Sequence, residues 1–242
     1  SGFIGSHLAD SLLAAGHQVR VLDDFSTGRM ENVDPRCKLV RGDILDPVAL
    51  RRALEGADGC FHLAAIASVA RANEAWLDAH KVNQSGSVAV FEQAVRAGRI
   101  PVVYASSAAV YGDVSGRTAR EDMAPAPQTA YGADKLGSEL HGRVGWGMHR
   151  LPTLGLRLFN VYGPRQDPHS PYSGVISIFA QLMARGAPIT VNGDGQQVRD
   201  FIYVHDVVAH FRAAMRRLED VPGCDVMNVC TGRGTTVLDL AL

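Results

Sequence analysis

"SGFIGSHLAD", residues 1–10, places two glycines three apart, Gly2 and Gly5, directly ahead of a helix-forming run. The run continues as "HLADSLLAA" (residues 7–15) and stops at Gly16, a residue suited to the end of a helix. Glycines in a strand-to-helix turn let the backbone approach a pyrophosphate. The helix start adds free N–H groups and the positive end of its dipole. A plain helix start would show the same two glycines, so the weight falls on residues 17–28. That segment, "HQVRVLDDFSTG", alternates as a short strand and ends in two aspartates before a Ser-Thr-Gly turn. Asp23 thus lies about 20 residues beyond the glycines, where a carboxylate can accept both ribose hydroxyls of an adenosine. It would also repel a 2′-phosphate, which favours NAD over NADP. Its alternative is an ordinary turn residue.

Outward from that stretch, strands and helices alternate. "CKLVRGDILD" (37–46) reads as a second strand, with a helix beginning near Pro47. "DGCFHLAA" (58–65) is a third strand, and residues 76–97 read as one long helix before the strand in "PVVYASSAAVYG" (101–112). A helix begins near Tyr131 and ends before Pro152, and "PTLGLRLFNVYGP" (152–164) is a further strand. Near-continuous apolar strands separated by helices predict an α/β fold, with a parallel sheet covered on both faces. Residues 164–171 hold three prolines and read as a loop. Beyond it come a helix near residues 175–185, a short strand in "PITVNGDG" (188–195) and "RDFIYVHDVV" (199–208), read as a smaller interleaved lobe.

Composition bounds the function. The 242 residues are 46% hydrophobic and 20% charged with a net charge of −1, enough length for a sizeable core and no basic footprint for nucleic acid. No apolar run is long enough to span a membrane, and no signal peptide is visible. Cys37, Cys60, Cys224 and Cys230 form no C-x-x-C pair, and the nine histidines form no metal spacing, so no metal is assigned. The cysteines read as small buried residues of a reducing cytoplasm.

Two constellations carry chemistry. In "YGADK", Tyr131 and Lys135 stand four apart, on one face if helical. A tyrosine acts as acid or base only if its pKa of about 10 falls. An ammonium about 4 Å away is worth ~4 kcal/mol at an effective dielectric of about 20, near three pKa units. The bland alternative is an exposed helix pair. In "YASSAAVYG", Ser106 and Ser107 fall at the carboxyl end of a buried strand, where open α/β sheets bind ligands, or else form a turn. Asp43, closing the strand in "GDILD", reads as a helix cap or as a partner for an adenine amine, with the cap favoured on spacing.

Together these segments resemble the extended short-chain dehydrogenases/reductases, and within them the NAD-dependent nucleotide-sugar epimerase/dehydratase family. The resemblance runs through "GFIGSHL", "VLDDFSTG", "GDILD", "FHLAA", "VVYASSAAVYG", "YGADK", "RLFNVYGPRQDP", "SGVISIF", "NGDGQQVRDFIYVHDV" and "MNVCTG", nearly the whole chain. It implies a Rossmann-type doubly wound parallel sheet. NAD-binding residues would occupy 1–165. Residues 166–242 would mostly form a substrate lobe, with 200–217 returning to the first part. It implies NAD on Gly2, Phe3, Ile4, Gly5, Asp23, Asp43, Ile44, Leu63, Ala64, Ala65, Asn83, Tyr131 and Lys135. It implies catalysis by Ser107, Tyr131 and Lys135, and a UDP-sugar held by Ser107, Tyr131, Asn160 and Arg199. The reaction implied is 4-epimerisation of a UDP-hexose by transient oxidation at C4, in a cytoplasmic homodimer. Rival readings are a 4,6-dehydratase, a UDP-glucuronate decarboxylase or a non-catalytic NAD-binding protein.

Two departures from the family pattern set further expectations. The family turn is G-x-x-G-x-x-G after a central strand, and Gly2 and Gly5 match its second and third glycines, so the chain reads as trimmed at both ends. Residues 1–242 alone are then expected to be poorly soluble or partly unfolded, and inactive. Family dehydratases carry an Asp-Glu pair after the catalytic Ser or Thr, whereas Ala108 and Ala109 follow Ser107 here.

Overall fold

In a computed structural model of the chain, residues 1–114, 116–167 and 174–241 are described. Helix α1 (Phe3–Ala14) begins directly after Gly2, and β1 (Arg20–Asp23) pairs in parallel with β2 (Lys38–Arg41). Helix α2 (Pro47–Leu54) is next, then β3 (Cys60–His62), α3 (Val69–Glu74) and α4 (Trp76–His80). A π-helical turn, Lys81–Ser85, joins α4 to α5 (Gly86–Arg96). After β4 (Val102–Ser107) a 3₁₀ turn, Ala108–Tyr111, precedes α6 (Ala130–His149). Then come β5 (Thr153–Leu158), β6 (Asn160–Tyr162), α7 (Val175–Ala184), β7 (Val198–Arg199), β8 (Phe201–Tyr203) and α8 (Val204–Asp220). The chain continues through β9 (Cys224–Val229), β10 (Thr235–Thr236) and α9 (Val237–Ala241).

The main sheet is parallel, in the order β3-β4-β5-β9. Its central strands are buried on both faces, which explains their near-continuous apolar sequence. On one face Val103 and Leu154 pack with Leu8 of α1 and Val207, Phe211 and Leu218 of α8. On the other, Val102 and Tyr104 pack with Leu50 of α2, Val90 and Phe91 of α5, and Leu151. This is the expected doubly wound α/β arrangement. The β1–β2 pair is a separate two-stranded sheet. The large cleft runs between it and the main sheet, past Val21, Leu22, Cys60 and Phe61, and among the described residues no strand bridges the two. Beyond the main sheet, β6 pairs in parallel with β8, and β7 in antiparallel with β10.

Several details differ from expectation. Residues 188–195 form no strand, because Gly193 (φ 70°) and Gly195 (φ 71°) turn the backbone out of the extended region. The single helix expected over 76–97 is interrupted by the π-helical turn, and α3 precedes it unannounced. The "PTLGLRLFNVYGP" strand is two, with β6 leaving the main sheet to meet β8. Strand β9 joins the main sheet beyond the segment expected to return to it. In the loop expected at 164–171, residues 164–167 are irregular and the rest lies outside the described residues.

Candidate active site

A cleft of ≈ 2240 Å³ opens over the carboxyl ends of the strands. Ser107, Tyr131 and Lys135 line it together. Local sequence explains the convergence. Thr129 caps α6, its hydroxyl accepting from Gly132 N at 3.0 Å, so the helix starts just before Tyr131. Gly132 lets the turn after Ser107 lie directly on that first helical turn, since a Cβ there would meet the Ala109 carbonyl oxygen at 2.6 Å. Ser107 in turn caps its own 3₁₀ turn, accepting from Ala109 N at 3.1 Å, and lines the cleft beside Tyr131. Lys135 is buried, donates to the Ala105 carbonyl at 2.8 Å, and sits 5.6 Å from the centre of the Tyr131 ring.

The electrostatics differ from the reading of Tyr131 and Lys135 as a pre-acidified pair. Burial pushes the Tyr131 hydroxyl up to about 12, although the neighbouring Ser107 hydroxyl pulls the other way. Burial also lowers Lys135 to about 8, partly offset by the neighbouring Asp134 carboxylate. Desolvation outweighs the expected help from the ammonium because Lys135 aims its ammonium at the Ala105 carbonyl. Below them His62 is buried, bonded to Ser87 at 3.0 Å, and pushed down to about 3 by burial and then by Lys135, so it is neutral.

The other end of the cleft suits a dinucleotide. No side chain caps α1, which leaves its first N–H groups for an anion, and a Cβ on Gly2 or Gly5 would meet nothing within 4 Å. The buried Ser1 hydroxyl there has no partner among the described residues. Phe3, Ile4, Asp43, Ile44, Leu63, Ala64 and Ala65 line the same cleft. Asp23 stands at the end of β1, accepting from Phe25 N at 2.8 Å. These residues fit NAD: a dipole end for its pyrophosphate and a carboxylate for its ribose.

Two assigned residues behave otherwise. Asn83 is fully buried and does not line the cleft. Its amide accepts from Ile66 N at 2.7 Å and donates to Ile66 O at 3.2 Å, which pins the loop behind Ala64 and Ala65. Asp43 does not cap α2, because Asp46 does so, accepting from Val48 N at 2.8 Å. Asp43 instead closes a turn onto Leu45 N at 2.8 Å. Toward the other lobe, Asn160 and Arg199 are exposed on the cleft wall. One contact has no signal in the sequence at all. Arg29 reaches Asp167 at 2.9 Å, joining the loop after β1 to the loop after β6, two cleft-lining segments 138 residues apart.

This geometry coincides with that of known proteins. Residues 1–230 match the NAD dependent epimerase/dehydratase family. A UDP-glucose 4-epimerase of Mycolicibacterium smegmatis is 38% identical over 248 residues, covering 99% of this chain and 78% of that protein. The crystal structure of the Thermotoga maritima UDP-glucose 4-epimerase with UDP-glucose superposes with a TM-score of 0.91 at 37% identity, covering 99% of this chain and 77% of the other. The UDP-N-acetylglucosamine 4-epimerase of Methanobrevibacter ruminantium, in complex with UDP-N-acetylmuramic acid, gives 0.93 at 33% identity, with 99% and 77% covered. With a dinucleotide cradle at one end of the cleft and a Ser-Tyr-Lys cluster at its centre, the chain belongs to the NAD dependent epimerase/dehydratase family.

Proposed function

We propose that this chain interconverts UDP-hexoses at C4, with or without an N-acetyl group. The observation that carries this is the convergence of Ser107, Tyr131 and Lys135 on one cleft wall, with Ser107 followed by residues that cannot titrate. Ser107 holds the oxygen at sugar C4, Tyr131 accepts its proton, and Lys135 supplies the positive charge that favours the phenolate. When bound, NAD supplies reversible two-electron oxidation at C4. The 4-ketose turns over within the cleft, and Tyr131 returns the proton once the opposite face is reduced. Asn160 and Arg199 hold the diphosphate, a guanidinium being suited to two oxygens at once. Residues 1–165 hold NAD, and the later residues, apart from 200–217 and the main-sheet strand β9, form the sugar side.

Dehydration or decarboxylation would need an added proton path. Once a 4-ketone exists, elimination requires a base for the C5 proton and an acid for the 6-hydroxyl. Ala108 and Ala109, in the turn after Ser107, can serve as neither. The test is incubation of the full-length protein with NAD and UDP-glucose, UDP-N-acetylglucosamine or UDP-glucuronate, with products read by NMR. Inversion at C4 alone is expected. A 4-keto-6-deoxy sugar, or a pentose from UDP-glucuronate, would overturn the reading.

Cofactor preference rests on Asp23. The unmodified protein is expected to bind NAD more tightly than NADP, and Asp23→Ala should shrink that difference. Tighter NADP binding by the unmodified protein in a calorimetric titration would remove Asp23 from the ribose site.

The protein acts as a cytoplasmic homodimer, without nucleic acid. Support for the dimer is the exposed apolar stripe of Leu140, Val144 and Met148 along α6, with Trp76 and Leu77 exposed on α4, which packs against α6. Among the described residues no helix is long and apolar enough to cross a membrane. Sedimentation should show a dimer, and Leu140→Asp with Val144→Asp should yield a monomer. An unmodified chain that sediments as a monomer would sink this assignment.

A further inference from the structure

Behind Ser107 lies a buried polar network that the proposed chemistry does not use. The Arg157 guanidinium, on β5, grips the Glu139 carboxylate with two parallel bonds, Nε to Oε1 at 2.9 Å and Nη2 to Oε2 at 2.7 Å. Both side chains are almost fully buried. The Ser106 hydroxyl donates to the same Glu139 Oε1 at 2.5 Å. The remaining Arg157 Nη1 donates to the Tyr111 hydroxyl at 2.8 Å, and that hydroxyl donates to Asn228 Oδ1 at 2.7 Å. Asn228, on β9, donates its backbone N–H to Glu121 at 2.8 Å and its amide N–H to the Ala119 carbonyl at 3.2 Å.

The placement of these groups is specific. Ser106 directly precedes Ser107, and Tyr111 ends the 3₁₀ turn that Ser107 caps. Glu139 lies four residues beyond Lys135 and eight beyond Tyr131, on the same face of α6. The network therefore ties both sides of Ser107 to the helix that presents Tyr131 and Lys135. Stability alone does not require charge here, because apolar residues of similar volume commonly hold a core as well as a buried ion pair does. What a bidentate pair adds is direction: it fixes one register between β4, β5 and α6.

We propose that Ser106, Glu139, Arg157 and Tyr111 are positioning residues that hold the Ser107 hydroxyl on Tyr131. None touches the reacting atoms, and each acts through Ser107. This inference rests on the epimerase reading above. It predicts a particular dependence. Ser106→Ala, which deletes one hydroxyl, should lower kcat for UDP-glucose about tenfold, with KM and the NAD dissociation constant within about twofold of the parent. In a Ser107→Ala background the same change should cost less than about twofold, because the residue it acts through is gone. Glu139→Gln should show the same pattern, and Arg157→Lys should lose less than Arg157→Gln. Equal losses in both backgrounds, or no loss beside intact Ser107, would overturn the proposal.

Crystal structures of the parent and of Ser106→Ala supply a readout independent of turnover. The Ser107 and Tyr131 hydroxyls should stand within hydrogen-bonding distance in the first and move apart in the second, and an unchanged separation would refute the clamp. Should the full-length protein fail to epimerise any UDP-hexose, the epimerase reading falls, and these two structures still decide the clamp.

Discussion

Tyr131→Phe is expected to lower turnover of UDP-glucose by about 10² or more while NAD stays bound, the scale of a lost general acid/base. The substitution removes one oxygen and keeps the ring that faces Lys135. The Tyr131 hydroxyl stands at about 12 in the protein alone, so at neutral pH it is a poor base until positive charge approaches it. Lys135 is the cation at hand, and the Ser107 hydroxyl also favours the ionised form. Turnover should therefore rise with pH through neutrality, because the hydroxyl titrates well above it, and Tyr131→Phe should abolish that rise. Near-normal turnover in the variant, measured by conversion of UDP-glucose, would remove Tyr131 from the mechanism.

Much of this site is legible in the sequence, and particular residues show why. Tyr131 and Lys135 are legible because helical spacing is local, and Ser107 because a buried strand must end near the sheet's carboxyl edge. Asp23 is legible from its distance to the glycines. The departures have physical causes too. Asp43 and Asp46 both precede α2, and spacing cannot say which will cap it; Pro47 at the first helical position settles the matter for Asp46. The break at Lys81–Ser85 is invisible to apolar periodicity, yet Gly137 of α6 opposes Gln84 there with no room for a Cβ. Resemblance assigns Asn83 to NAD, and its buried amide works one layer back, on the Ile66 backbone. The Ser106–Glu139–Arg157–Tyr111 network joins residues up to 46 positions apart, and no periodic signal marks such pairs. The rise in the Tyr131 pKa is equally hidden, because desolvation depends on how the whole cleft wall closes around one hydroxyl.

Lys135→Met should make the protein more stable and nearly inactive at once. The Lys135 ammonium is buried, and burial lowers its pKa from the ordinary 10.5 to about 8. Between those values the unfolded chain binds more protons than the folded one, so stability rises with pH across that window. Below pH about 8 the full cost is present, roughly 3 kcal/mol from the shift alone. Methionine has a similar length and no charge, so it removes this cost. It also leaves the Ala105 carbonyl without its 2.8 Å donor, which takes back about 1 kcal/mol or more. The net gain at neutral pH should raise Tm by several degrees, at about 2–4 °C per kcal/mol for a chain of this size. That gain should shrink as pH rises from 8 to 10.5, because the parent recovers its stability there and the variant has nothing to titrate. Turnover should fall by about 10²–10³, the scale of a lost electrostatic partner for developing charge. A site that tolerates a destabilising cation does so for chemistry, and the opposite signs of the two effects express that trade. A lower Tm for Lys135→Met at neutral pH, or a difference that does not change with pH, would show that Lys135 is held for packing alone.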